Sequence, residues 1–387
     1  MNLGVYIQVP FCQTKCTYCN FHTGVVSADK YAPYAEAVQS EIADHRSFYA
    51  ASGISANRLE HAVVDTVYFG GGTPSLLDPA QLRGILGSIR GAFACDLAEV
   101  TLEADPETVT PQKAVAWADT GINRVSFGVQ SFSDLELRSS GRLHRREDVH
   151  RAASILRAAG LRNLSFDLIA GLPHQTPASW RDSLDELIAL RPEHVSIYML
   201  EVDEGSRLGR ELISLGTNYS ARAVPSDEQM ADSYDLAREL LCAAGYGHYE
   251  ISNWAKPGLA SRHNLKYWRR EPYLGFGAGA HSFYGTTRWA NAHDAARYVA
   301  AITSGKLPAE QIEPVSERQA REEEIFLGLR QLGGINLDQI ESIYAASLGE
   351  KLCSLQSAGL IEREGSIVRL APKKLSISNE VFVELLS

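Results

Sequence analysis

The sequence predicts an α/β protein: a partial (β/α)6 TIM-type barrel with a C-terminal α/β extension and a small winged-helix-like unit. Three observations carry this. Six short β-branched runs alternate with longer amphipathic segments over residues 1–250, and a β-then-α repeat of that kind builds a parallel sheet with right-handed crossovers. No strand leads into a compact G-x-G-x-x-G turn of the dinucleotide type. The conspicuous polar residues instead fall at the C-terminal ends of many strands, where a barrel assembles its site.

In chain order the strands are GVYIQV (4–9), DTVYFGG (65–71), EVTLEA (99–104), RVSFGVQ (124–130), LSFDLIAG (164–171) and HVSIYML (194–200). Helices are predicted over 30–50, 79–93, 111–119, 147–159 and 177–190. Three of them open on Asp78-Pro79, Thr110-Pro111 and Thr176-Pro177, where proline suits the first helical turn. The rhythm breaks over 200–310. GFGAGA (275–280) lacks a βαβ unit around it and reads as a close-approach loop. Helical periodicity, a Gly break, a second helix and a short hairpin follow in 310–387. The expected units are 1–245 (barrel), 246–310 (a cleft-lining region) and 311–387 (the winged-helix-like unit), with joints at 205–218 and 303–314.

Composition narrows the function. A 45% hydrophobic, 22% charged chain of 387 residues is long enough for about two domains. A net charge of -10 argues against a nucleic acid partner, which needs a basic stripe. The acidic lead-in to the winged-helix-like unit argues the same way. No stretch matches a membrane helix or a signal peptide, so a cytoplasmic protein with reduced thiols is expected.

Six cysteines then divide by spacing. Cys95, Cys242 and Cys353 stand alone, as small space-filling hydrophobes do. Cys12, Cys16 and Cys19 sit within eight residues as C-x3-C-x2-C, directly after strand one. Three thiolates suit an iron–sulfur cluster that leaves one iron open, or a zinc knuckle completed by His22. Around them the other strand ends bring Gly70-Gly71-Gly72-Thr73-Pro74, Glu103 with Asp105, Gln130 and Asp167, and Arg142 follows in the loop after strand four. Three successive glycines let backbone approach a ligand closely. Singly, each polar residue reads as a cap or a satisfied group; together they suit a polar, charged small molecule. Far along the chain, His263-Asn264-Leu265-Lys266-Tyr267-Trp268 sets a histidine beside two aromatics. That is either an axial haem ligand or a hydrogen-bonded core histidine.

The cysteine loop, GGGTP (70–74) and the Glu103/Gln130/Arg142/Asp167 set resemble radical S-adenosylmethionine (SAM) enzymes. More narrowly, the chain resembles the oxygen-independent coproporphyrinogen oxidase-like group, from residue 3 to the C-terminus. The resemblance implies a [4Fe–4S] cluster on Cys12, Cys16 and Cys19, with SAM chelating the open iron. It implies SAM contacts from Tyr6, Tyr18, Gly71, Gly72, Thr73, Glu103, Gln130, Arg142 and Asp167, and a C-terminal unit that covers the cleft. The H-N-x-x-Y-W pattern resembles the group's haem-chaperone branch, which implies haem binding by His263, Asn264, Tyr267 and Trp268. The oxidases carry a further cysteine two residues past the third ligand, where this chain has Asn20-Phe21. They also carry an N-terminal arm before strand one, which here starts at about residue 3. Both differences favour a chaperone with haem as cargo over a decarboxylating dehydrogenase, and no catalytic residue is assigned. The implied partners are haem and haem-accepting proteins of the respiratory chain, with a homodimer as a further expectation. Any membrane association, at the inner face, would come through a partner.

Overall fold

The computed structural model describes residues 1–55, 57, 59–344 and 349–386. Strand and helix alternate through β1 (Asn2–Val9), α1 (Tyr31–Ala51), β2 (Val63–Gly71), α2 (Pro79–Ala92), β3 (Ala94–Ala104) and α3 (Pro111–Thr120). The series continues with β4 (Arg124–Gln130), α4 (Asp134–Ser139), α5 (Arg146–Ala158), β5 (Asn163–Ala170), α6 (Pro177–Leu190) and β6 (His194–Met199). The expected helix starts are there: Asp78 accepts from Ala80 N–H at 2.8 Å, Thr110 from Lys113 N–H at 3.2 Å and Thr176 from Ser179 N–H at 3.1 Å. β3 begins earlier than its apolar run because Ala94 and Cys95 still pair with Val63 and Val64.

β1 to β6 pair in parallel and in order. The sheet then stays open and grows at both edges. After α7 (Arg207–Ile213) and α8 (Asp227–Ala243), β7 (Gly247–Glu250) and β8 (Asn253–Ala255) extend the β6 side antiparallel. Beyond α9 (Arg262–Trp268), β9 (Tyr273–Phe276) joins β1 in parallel, and β10 (His281–Tyr284), β11 (Thr287–Asn291), α10 (Ala295–Thr303) and β12 (Ala309–Pro314) complete that edge. The fold is therefore a partial barrel, in a twelve-stranded sheet.

Each strand alternates with period two. Val5, Ile7, Val67, Phe69, Val100, Leu102, Val125, Phe127, Leu164 and Phe166 are fully buried and belong to one continuous core. The alternate positions are small or polar: Gly4, Tyr6 and Gln8; Thr66, Tyr68 and Gly70; Glu99, Thr101 and Glu103; Arg124, Ser126 and Gly128; Ser165 and Asp167; His194 and Ser196. A concave sheet face of that composition must be satisfied from within or by a ligand.

Three sequence expectations change. Residues 205–218 are not a loose joint: α7 packs on the cysteine loop, where Leu208 N–H donates to Thr17 O at 2.8 Å. Residues 303–314 end in β12, a strand the sequence reading missed, and a boundary at 310/311 passes through it. Its outward residues are polar, so its ladder with β11 alone makes it a strand. The last residues form α11 (Glu317–Arg330), β13 (Ile335–Asn336), α12 (Leu337–Tyr344), α13 (Gly349–Ser357), β14 (Ile361–Glu364), β15 (Ile367–Leu370) and α14 (Ser378–Leu386), with a separate antiparallel sheet ordered β13–β15–β14.

The close-approach reading of 275–280 holds. A Cβ at Gly277 would meet Gln8 O and the Tyr34 hydroxyl, each at 2.6 Å. Buried Glu41 on α1 fastens this loop, accepting from Gly277 N–H (2.9 Å), Asn291 Nδ2 (2.7 Å) and the Tyr298 hydroxyl (2.6 Å). Burial outweighs these three donors and pushes the Glu41 carboxyl up to about 7. A raised carboxyl binds protons more tightly folded than unfolded, so its contribution falls as pH rises from its unfolded value through 7. Urea melts at pH 5 and pH 8 should show the wild-type chain losing up to about 3 kcal/mol more than Glu41→Gln across that interval.

Candidate functional site

β1 runs directly into the cysteine loop, and the backbone beside it holds that loop in place. Gly72 N–H donates to Val9 O at 2.8 Å, Thr73 N–H to Phe11 O at 2.7 Å, and Cys12 N–H to Gly24 O at 3.0 Å. From the other side, Thr17 N–H donates to Ser140 O at 3.0 Å, and Arg207 donates to Lys15 O. The three thiols open onto a cavity of about 720 Å³ at the C-terminal ends of the strands. Tyr18, Gly71, Gly72, Thr73, Glu103, Gln130, Arg142 and Asp167 border the same cavity.

Gly72 cannot be another residue. A Cβ there would lie 2.4 Å from Phe11 O and 3.0 Å from Cys12 Sγ. Gly71 has φ +111° and its N–H donates to Glu103 Oε2 at 3.0 Å, while the Tyr68 hydroxyl donates to Oε1 at 2.8 Å. Burial pushes Glu103 up to about 7, with Asp167 adding to the effect and the two donors opposing it. Burial likewise raises Asp167, which accepts from Ser126 Oγ at 3.4 Å. Arg142 spans the wall: its guanidinium donates to Asp105 and to Gly128 O (2.7 Å) and lies 3.6 Å from Cys16 Sγ. Gln130, at φ +66°, keeps an unpartnered buried Oε1 beside it. Burial pushes the Cys12 and Cys19 thiols up, so any metal they bind must displace protons.

The sequence noted Asp105 as a strand end without giving it a role; here it holds both Arg142 and Thr73, whose hydroxyl donates to Asp105 Oδ2 at 3.1 Å. Tyr198, Ser126 and Arg330 also border the cavity, and the C-terminal unit adds Leu375, Ser376, Ser378 and Asn379. The period-two alternation could have exposed Ser126 and Tyr198; nothing local marks Arg330 or Ser376. Tyr6 is not on the cavity wall: its hydroxyl donates to Gln8 Oε1 at 2.9 Å, and it stacks on Tyr68. His22 turns to His293, with ring centroids 4.2 Å apart, and does not border the cavity onto which the three thiols open.

His263 lies inside the fold. Its side chain is 1% exposed beneath the cavity, with Thr66 Oγ1 3.0 Å from Nδ1 and the Tyr267 hydroxyl 2.8 Å from Nε2. Both nitrogens are engaged, and burial pulls the imidazole down to about 3, with Lys266 and Arg124 adding to the effect. Glu99 caps α9, accepting from Arg262 N–H and His263 N–H, both at 3.0 Å. Asn264 N–H donates to Ser261 Oγ at 3.3 Å, and the Arg330 guanidinium lies 4.4 Å over the Trp268 ring. The HNLKYW helix plugs the polar face of the sheet, and Nε2 of His263 is free for a ligand only if the Tyr267 hydroxyl turns away.

A profile of the Radical SAM superfamily matches residues 6–187. The heme chaperone HemW of Bacillus subtilis (strain 168) is 34% identical over 385 residues, 98% of each chain. The chain belongs to the HemW family of radical SAM proteins. The Escherichia coli (strain K12) HemW is 36% identical over 281 residues, 72% of this chain and 69% of that one. In fold, coproporphyrinogen III oxidase (HemN) from Escherichia coli superposes with a TM-score of 0.82 at 21% identity, covering 100% of this chain and 90% of that one.

A radical SAM core carries a [4Fe–4S] cluster and SAM. The donors present fit both: three soft thiols on one loop, a glycine edge without Cβ atoms, an unpartnered Gln130 oxygen, and two carboxyls and a guanidinium bordering one cavity. When bound, these cofactors supply one-electron cleavage of the sulfonium. Gly72→Ala should displace the Cys12 turn. Iron and acid-labile sulfide per chain should fall to less than about half of wild type after anaerobic reconstitution, and circular dichroism of the cluster-free variant separates loss of the site from loss of the fold.

Proposed function

We propose that this protein is a haem chaperone: it binds haem and passes it to haemoproteins, using a radical SAM core as its scaffold. Full-length similarity to proteins named heme chaperone HemW carries the reading. The cavity itself supports it, because Cys19 is followed by Asn20 and Phe21, and no fourth cysteine joins the wall.

In this reading Cys12, Cys16 and Cys19 hold the cluster. Gly71, Gly72, Thr73, Gln130 and Tyr18 line the place of the methionyl end of SAM, with Glu103 and Asp167 as acceptors for ribose hydroxyls. Arg142, positive beside Cys16 and anchored by Asp105, offsets the cluster's charge and favours its reduced state. The recipients are proteins of the respiratory chain, reached at the inner face of the membrane through a partner; no helix among the described residues is long and apolar enough to cross one. Residues 1–245, 246–310 and 311–387 serve as cofactor core, plug and cover.

Two measurements on anaerobically reconstituted protein test this. Haemin should titrate to one equivalent per chain, while coproporphyrinogen III with SAM and a reductant should yield no decarboxylated product. Turnover of coproporphyrinogen III would overturn the chaperone reading in favour of the dehydrogenase. Separately, Cys16→Ser should abolish the visible charge-transfer absorption of the cluster; one tightly held zinc in the wild type would refute the cluster assignment.

A further inference from the structure

One acid–imidazole pair beside the cavity has no part in the reading above. After β3 a single helical turn (Pro106–Thr108) sets Glu107 on the cavity wall. Behind it lies His144, 1% exposed, in the segment between α4 and α5. Its Nε2 is 3.0 Å from Val129 O; a carbonyl only accepts, so Nε2 carries the ring proton and Nδ1 is a bare acceptor. Nδ1 faces Glu107 Oε2 at 3.8 Å. Both atoms are buried, and neither has a hydrogen-bond partner among the described residues.

Two lone-pair atoms turned toward each other out of water are costly unless a proton sits between them. The pair therefore has a place for one proton, carried on Glu107 Oε2 and pointed at Nδ1. Burial pushes the Glu107 carboxyl up to about 7, with Asp105 and Asp148 adding to the effect and Arg142 opposing it. Burial and then Arg142 pull the His144 imidazole down, so the ring stays neutral while the carboxyl exchanges. Asp105 at the end of β3, Arg142 in the loop before α5 and Asp148 on α5, itself paired with Arg151, are the charged groups around the pair. Glu103 is raised as far, but both its oxygens already accept, from Gly71 N–H and the Tyr68 hydroxyl. Glu107 has the open oxygen.

Arg142 links the pair to the thiols, since its guanidinium donates to Asp105 and lies 3.6 Å from Cys16 Sγ. Negative charge added at the cysteine loop is thus felt at Glu107 across one ion pair. Between unit charges ~10 Å apart in a partly buried wall, that field is worth on the order of tenfold in proton affinity. Resting on the cluster reading above, we propose that the Glu107–His144 pair takes up one proton as the cluster takes up one electron. The electron comes from an external one-electron reductant and the proton from solvent. The new O–H bond forms at Glu107 Oε2 and is directed at His144 Nδ1, and no bond in the protein breaks. The uptake holds the charge of the wall constant and favours the reduced state at low pH.

Spectroelectrochemical titration of the anaerobically reconstituted full chain between pH 6 and pH 9 tests the assignment. The wild-type midpoint potential should fall as pH rises, in all by about tenfold in equilibrium constant, which is 59 mV for one electron. Glu107→Gln, close in shape to the protonated carboxyl, should hold the potential at its acidic value throughout, and Glu107→Asp should bring part of the slope back. His144→Phe removes the acceptor and should move the transition to lower pH, a second readout should Glu107→Gln fail to hold a cluster. A wild-type potential that ignores pH would overturn the proposal while sparing the cluster. A slope that survives in Glu107→Gln and vanishes in Glu103→Gln would also overturn it, as would an unmoved transition in His144→Phe. A wild type with no redox-active cluster would remove both readings.

Discussion

The concave face of the parallel sheet is polar, and a buried polar face is stable only when its groups find partners. From Thr66 and Glu99 through Arg124 and Ser165 to His194, the lower half of the sheet presents side chains that an apolar plug would leave unsatisfied. The chain answers with α9. Its helix N–H groups meet Glu99, His263 bridges Thr66 and Tyr267, and Lys266 pairs with Asp65 at 2.8 Å. Ser165 and Tyr249 bracket His194 in the same way, at 2.8 and 2.7 Å. The upper half has no such helix, and its polar groups are left to a cofactor.

That division sets the geometry of the site. The cysteine loop is placed by backbone: carbonyls at Val9 and Phe11 meet the Gly72-Thr73 edge, so the thiols cannot drift relative to β2. Side chains then set its charge. Asp105 steers Arg142 toward Cys16, while burial raises the Glu103 and Asp167 carboxyls on the floor. A cation next to the thiols suits a centre that must accept an electron. The C-terminal unit closes one side, fastened where Arg330 meets Trp268 and Glu250.

The HNLKYW motif itself forms the plug. A histidine next to tyrosine and tryptophan has the chemistry of a haem ligand, yet here both its nitrogens are spent on holding the plug.

Strand and helix order, the capped proline starts and the cysteine spacing were legible because each is a local matter of periodicity and chain geometry. So were the strand-end candidates, since a βα repeat places every loop after a strand at one end of the sheet. Asp105 as the partner of Arg142, Arg330 as a cavity wall and β12 as a strand depend on contacts between distant segments, which no local pattern encodes. His263 shows the difference most clearly. Its residue type and neighbours are equally consistent with a ligand and with a buried, doubly hydrogen-bonded ring. Only the tertiary structure brings Thr66, 197 residues earlier in the chain, to its Nδ1.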